Sequence, residues 1–293
     1  TGRALKNNTN IIKNSVPFNL EADSLNACVL GEDAKPSTAE FNLFIKEVYK
    51  EITVKAGQKC TAVRRILVPE NLIEDVQSAL VKKLQNTVIG NPDKKEVRMG
   101  ALATRVQVER VRENVELLMK SQDLICGHIN DFKVLDADKD KGAFFPPILF
   151  RNNEPYLKED VHSIEAFGPV STLIPYKDLD DAVKIVELGK GSLVTSIVTG
   201  NDNIARDFVL EAANMNGRIL VLNERCAKES TGHGSPMPLL THGGPGRAGG
   251  GEEMGGVRGI KHYLQRTAIQ GHPETITKIT QQFQVGGDQP VAN

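Results

Sequence analysis

The sequence predicts an α/β fold with a largely parallel sheet, and three observations predict it. Strand-like and helix-like segments alternate through most of the chain, an order that implies a parallel sheet covered by helices. The composition, 40% hydrophobic and 25% charged over 293 residues, is that of a globular protein with room for one large domain or two. No apolar run approaches the roughly 20 residues that span a bilayer.

The segments justify this in turn. Phe41, Phe44, Ile45, Val48 and Ile52 recur at three- and four-residue steps, so 38–54 reads as an amphipathic helix, with Gly57 as its stop. Ile66-Leu67-Val68 closed by Pro69 reads as a strand. Leu72, Val76, Leu80 and Leu84 mark a second helix with Asn71 near its start; Val108, Val111, Val115 and Leu118 mark a third. Beyond them 170–175, 193–199 and 218–222 are strand-like, and 179–188 and 202–214 are helix-like. Two stretches break the pattern. Residues 227–256 are rich in Gly, Ser, His and Pro, and so long a loop is functional or mobile. Residues 271–293 are polar and read as a linker or tail without a packed face.

Several function classes are excluded by composition. A net charge of −1 offers nothing to nucleic acid or to an anionic membrane surface. The absence of Trp and the 5% aromatic content argue against stacking platforms for single strands. Cys28, Cys60, Cys126 and Cys226 include no C-x-x-C pair, so neither a zinc ribbon nor a thioredoxin motif is present. Reduced thiols in a cytoplasmic protein are the expectation.

Cys60 is the leading candidate for chemistry. It follows Ala56-Gly57-Gln58-Lys59, between a helix end and a buried strand, where Gly57 permits a sharp turn and close approach of a ligand. Lys59, Arg64 and Arg65 are near in sequence and favour a thiolate. The competing reading is a small buried hydrophobe. His233, His242 and Cys226 fit no common zinc spacing, so no metal is expected and the histidines read as neutral loop residues. Gly244-Pro245-Gly246-Arg247-Ala248-Gly249 fits G-x-G-x-x-G on paper, but it follows a poor strand and holds a proline, which rejects a phosphate cradle.

Gly57-Gln58-x-Cys60 resembles the nucleophile motif of the aldehyde dehydrogenase family, and Glu165-Ala166-Phe167-Gly168-Pro169-Val170 resembles its E-x-F-G-P-V motif, in the family's order. Glu21 stands where that family has its second catalytic carboxylate, and 243–256 where it has a later glycine-rich segment near the substrate entrance and subunit contacts. Glu21-Ala22-Asp23-Ser24-Leu25-Asn26, 227–236 and 242–253 resemble one branch, the dehydrogenase half of bifunctional phenylacetate ring-cleavage proteins. The semialdehyde dehydrogenases of the benzoyl-CoA route are near neighbours. The likeness covers about 1–270.

The resemblance implies a three-layer α/β/α catalytic domain. Cys60 is then the nucleophile, its backbone N–H an oxyanion donor, and Glu21 the base that activates water. Glu165 holds the nicotinamide ribose and Phe167 lies against the nicotinamide. The implied cofactor is NADP, with NAD as the alternative, and the substrate a CoA-linked aldehyde. Assembly is expected to be homo-oligomeric in the full-length protein. The implied organisation is 1–30 as the end of a cofactor-binding domain, 31–240 as the catalytic domain, 241–270 as the glycine-rich contact segment and 271–293 as the tail. Thr1-Gly2 resembles the end of the family's F-T-G-S segment, with Arg3 in place of the Ser. The chain is therefore expected to be a fragment, with most of the cofactor domain upstream and no dehydrogenase turnover alone. Two competing readings stay open. A cysteine hydrolase needs a histidine near Cys60 in space, and none lies in 1–127. A non-catalytic assembly fragment needs an unreactive Cys60.

Overall fold

The strands are β1 (Ala27–Leu30), β2 (Arg65–Pro69), β3 (Asp123–Cys126), β4 (Ile148–Arg151), β5 (Val170–Tyr176), β6 (Ser192–Val198) and β7 (Asn216–Leu222). They form one sheet in the order β3-β4-β5-β2-β1-β6-β7, parallel throughout except for the antiparallel β3–β4 pair at one edge. This is a computed structural model describing residues 2–237, 240, 242–249, 257, 260, 261 and 264–288. Thr1 and parts of the glycine-rich stretch (238, 239, 241 and 250–256) lie outside the described residues. The chain divides into two units, Thr1–Glu253 and Met254–Asn293.

Alternation along the strands sorts the helices into two outer layers. Cys28, Leu30, Ile66, Val68, Leu149 and Leu173 face α3 (Ala39–Thr53) and α4 (Ile73–Gln85). On the other face, Ala27, Val29, Leu67, Ile174 and Ile197 pack against α6 (Leu179–Glu187) and α7 (Asp202–Ala212). Ile148, Phe150 and Val170 meet α5 (Arg105–Leu118) on that same face. Phe44, Val48 and Ile52 of α3 are fully buried. Each contributes about 1.5–3 kcal/mol of transfer free energy, far more than helix propensity does. Side-chain caps start the helices: Thr38 accepts from the Phe41 N–H, Thr104 from Gln107 and Asp178 from Asp181.

The helices and strands expected from periodicity are present within a few residues of their expected ends. Four features differ. α3 ends at Thr53, and a tight turn over Val54–Gly57 follows, with Lys55 and Ala56 at φ 52° and 50°. Gly57 closes that turn instead of ending the helix. β1 carries four consecutive buried residues with no alternation to read, and it lies centrally in the sheet. The expected boundary at residue 30 therefore falls at the end of a central strand, and the first unit runs on to Glu253. Within 271–293, Pro273–Thr280 form a helix (α8; α1 and α2 are the short Gly2–Lys6 and Thr9–Lys13). His272 caps it, and the buried Thr277 Oγ1 accepts from the Gln284 N–H at 2.9 Å. Residues 273–284 are thus structured where a tail was expected.

Candidate active site

Four parallel strands bring their amino-terminal ends to one edge of the sheet, and the segments entering them build a single cavity. The segment before β1 supplies Glu21, Ala22, Asp23 and Ser24; the turn before β2 supplies Cys60; the approach to β5 supplies Glu165 and Phe167. Leu193 at the start of β6 and Gln107, Arg110, Val111 and Asn114 of α5 complete the wall. The cavity holds about 420 Å³, the size of a small-molecule site. Thus Cys60, Glu21, Glu165 and Phe167, up to 146 positions apart (167 − 21), face one space.

The Cys60 loop is pinned from behind. Cys60 itself is exposed, whereas Thr61, Ala62 and Val63 are buried. The Asn26 amide donates to the carbonyls of Cys60 (2.8 Å) and Ala62 (3.0 Å), and its oxygen accepts from Ser24 Oγ and the Val194 N–H. Lys59 Nζ bonds the buried Glu51 of α3 at 2.7 Å. Burial pushes the Glu51 carboxyl above its usual range, against the pull of Lys59. Thr61 Oγ1 donates to the Gly234 carbonyl at 3.2 Å.

Arg64 locks the two sequence motifs together. Its guanidinium donates to the carbonyls of Gly57 (2.9 Å) and Gly168 (2.6 Å), pairs with Glu165 Oε1 at 3.4 Å and lies over the Phe167 ring at 5.5 Å. Gln58 adds two bonds, to the Phe167 carbonyl and from the Ala103 N–H. Gly57 sits at φ +67°, and a Cβ there would lie 2.2 Å from the Gly168 carbonyl oxygen. The turn therefore needs glycine for both conformation and space. Burial pushes the Glu165 pKa up, Arg64 pulls it down and Asp23 adds to the rise. Asp23 is held by Arg247 of the glycine-rich segment through two contacts of 2.5 and 2.6 Å, and Arg247 also donates to the carbonyls of His162 and Ser163. That segment also crosses Glu21: Gly249 sits at φ +106°, with its ideal Cβ position 2.8 Å from Glu21 Cγ. The run Gly246–Ala248 is one short turn, not the opening of a helix, so its glycines serve close packing.

The structure corrects one expectation. Of the three cations adjacent in sequence, Arg64 lies within electrostatic reach of Cys60. Lys59 is spent on Glu51, and Arg65 turns to the opposite face, where it donates to the carbonyls of Leu25, Ile185 and Val186. Arg218 of β7 is the second guanidinium in reach of Cys60, and no local sequence signal marks it. His233 and His242 both lie in the loop after β7, and each meets a named side chain. His233 is fully buried against Ser196, and burial, with Arg218 and Lys59 nearby, pushes its pKa down to about 3. His242 places Nε2 3.7 Å from Cys60 Sγ.

The arrangement puts a thiol and three carboxylates (Glu21, Asp23 and Glu165) around a space where a carbonyl compound fits, with an imidazole beside the thiol, which is the equipment of acyl-transfer chemistry. Residues 1–269 match the model of the aldehyde dehydrogenase family. The chain belongs to the aldehyde dehydrogenase family. Among relatives, it is 39% identical over 245 residues to 3,4-dehydroadipyl-CoA semialdehyde dehydrogenase of Aromatoleum evansii, a match covering 84% of this chain and 48% of that protein. It is 48% identical over 186 residues to Protein MaoC of Klebsiella aerogenes, covering 63% of this chain and 54% of that one. The chain thus spans about half the length of the curated relatives it matches. Betaine aldehyde dehydrogenase of Staphylococcus aureus, solved with NAD+, superposes with a TM-score of 0.77 at 20% identity over 90% of this chain and 49% of that one. Succinic semialdehyde dehydrogenase of Streptococcus pyogenes, solved with NADP+, gives 0.68 at 19% over 83% and 48%. These two likenesses establish the aldehyde dehydrogenase fold alone. Within it, Asn26, Arg64, Arg218 and His242 are the residues around the thiol whose roles sequence reasoning missed or left general. An Asn directly before an apolar run was the one local signal available.

Proposed function

We propose that this chain carries the nucleophile and acyl-transfer machinery of an NAD(P)-dependent aldehyde dehydrogenase. The observation that carries the reading is that Cys60, Glu21, Glu165 and Phe167 line one cavity. Cys60, as thiolate, adds to the aldehyde carbon; a C–S bond forms and the carbonyl π pair moves to oxygen, toward the Cys60 N–H. A nicotinamide held beside Glu165 and Phe167 would supply the hydride acceptor for that carbon, and Cys60 would then carry the acyl group as a thioester. Glu21 takes a proton from water, whose oxygen adds to the thioester; the C–S bond breaks and the acid leaves. Glu165 fits a ribose: its carboxylate faces the cavity with one oxygen paired to Arg64, and Phe167 offers an apolar wall beside it.

The substrate class in this reading is a CoA-linked semialdehyde, supported by the 39% identity to a relative of that name. The cofactor is NADP, with NAD as the alternative. Because about half of each relative lies outside the match, hydride transfer is assigned to the full-length protein, a cytoplasmic homo-oligomer.

The test separates the two half-reactions. This chain with p-nitrophenyl acetate is expected to release one equivalent of nitrophenolate in a burst and to carry acetyl on the Cys60 peptide by mass spectrometry. Glu21→Gln is expected to keep the burst and slow deacylation by about 10²-fold or more. The full-length protein with a CoA-linked semialdehyde is expected to raise absorbance at 340 nm with NADP+ or NAD+. Ester turnover without nucleotide reduction in the full-length protein would overturn the proposal. It would favour a cysteine hydrolase instead, a reading that draws on the contact between Cys60 and His242.

A further inference from the structure

We propose that His242 is the proton acceptor that activates Cys60, so that thiol activation and water activation are divided between His242 and Glu21. This rests on reading Cys60 as the nucleophile. Nε2 of His242 stands 3.7 Å from Sγ, within reach of a sulfur hydrogen bond. The segment that carries His242 is anchored to the site by the Arg247–Asp23 pair and by Gly249 against Glu21. The imidazole is therefore held on the same framework as the second carboxylate.

The chemistry is one proton transfer. The S–H bond of Cys60 breaks and an N–H bond forms at Nε2, giving thiolate and imidazolium with no change in oxidation state. When the thioester is hydrolysed, the C–S electron pair returns to sulfur and the imidazolium gives the proton back. A free thiol near 8.5 does not surrender its proton to an imidazole near 6.5 without help, a gap of about two units. Pairing the two ions supplies that help, as do the guanidinium groups of Arg64 and Arg218, both in electrostatic reach of Cys60.

The remaining charges around the pair leave this balance in place. Asp23 is neutralised by Arg247, and Glu165 is paired with Arg64 and shifted toward its neutral form by burial. Lys59 is bound to Glu51 behind the loop, Arg110 stands on the α5 wall, and Glu21 faces the cavity. The imidazole, in contact with sulfur, is placed to hold the thiol proton; the carboxylate is left for the second step.

The experiment is the pH dependence of Cys60 alkylation by iodoacetamide, from pH 4.5 to 9.5, on the whole chain without nucleotide or aldehyde. Mass spectrometry of the Cys60 peptide separates it from the half-buried Cys226. Wild type is expected to hold its rate to below pH 7. His242→Asn and His242→Gln are expected to move the inflection up by at least one pH unit and to slow alkylation at pH 6.5 by about tenfold or more, with rates equal to wild type at pH 9.5. Four results overturn the proposal: a wild-type inflection in the ordinary thiol range, an inflection unchanged in both variants, a loss equal at every pH, or an inflection that moves in Glu21→Gln instead. The wild-type curve decides the matter even if neither His242 variant folds. A silent 340 nm assay of the full-length protein with this profile intact would count against the dehydrogenase reading and not against the pair.

Discussion

The two sides of the Cys60 loop are built from different chemistry. The cavity side presents an exposed thiol with His242 beside it, three carboxylates and an aromatic ring. The far side is a closed polar lattice: Asn26 holds two of the loop's carbonyls, Glu51 holds Lys59, and His233 is sealed against Ser196. Reactive groups need water, substrate or each other, so they stay accessible; the groups that aim them are buried and bonded. The lesson is that the position of Cys60 comes from buried side chains behind its loop.

Substitutions on the two sides should therefore separate reactivity from stability. Cys60→Ala is expected to abolish acetylation by p-nitrophenyl acetate, by about 10³-fold or more. Its thermal midpoint should move by only about 1 °C, because an exposed side chain is removed. Asn26→Ala is expected to do the reverse in kind. It strands the carbonyls of Cys60 and Ala62 and removes the acceptor for Ser24 and Val194. At about 1–3 kcal/mol for each buried group left unsatisfied, the loss is roughly 3 kcal/mol or more, or about 6–12 °C. Calorimetry beside the burst assay checks both. An Asn26→Ala protein as stable as wild type would mean that the far side does not hold the loop.

This division also explains what the sequence made legible. The helices of 38–54, 72–84 and 105–118 were readable because one face of each meets the sheet at a regular period. That Cys60, Glu21, Glu165 and Phe167 belong in one place was readable because short motifs carry them. β1 was not, since a strand buried on both faces has no alternation. His242 and Arg218 were not, since their roles arise only when segments more than 150 positions from Cys60 (242 − 60; 218 − 60) close over it. Glycine-rich stretches have no periodicity to announce such a meeting.

A smaller change tests how closely the cavity side depends on its packing. Gly249→Ala adds a methyl 2.8 Å from Glu21 Cγ in a backbone conformation that disfavours it. The carboxylate is displaced while the thiol is not. Deacylation is expected to slow by about tenfold to a hundredfold, with the acylation burst retained, as misplacement by an ångström costs that much. Equal loss in both steps would mean that the glycine-rich segment aims the whole site and not Glu21.

The last expected effect concerns protons at the buried His233. Burial is the main reason that His162 and His233 both have pKa values near 3 in the folded chain. In the unfolded chain each returns to about 6.5. Between these values the unfolded chain binds protons that the folded chain refuses, so stability is full above about 6.5 and falls as pH drops toward 3. Each histidine contributes a slope of about 1.4 kcal/mol per pH unit inside that window. His233→Gln is expected to lower stability at neutral pH, because a buried side chain bonded to Ser196 is replaced. It should nevertheless flatten the dependence between pH 6 and 4 by one proton relative to wild type, measured by urea unfolding at several pH values. The sign distinguishes the two effects, since a packing defect shifts the whole curve and only the loss of a proton site changes its slope. An unchanged slope would mean that His233 takes up a proton in the fold as readily as outside it. The far side of the loop would then be as open to charge as the side that carries the thiol.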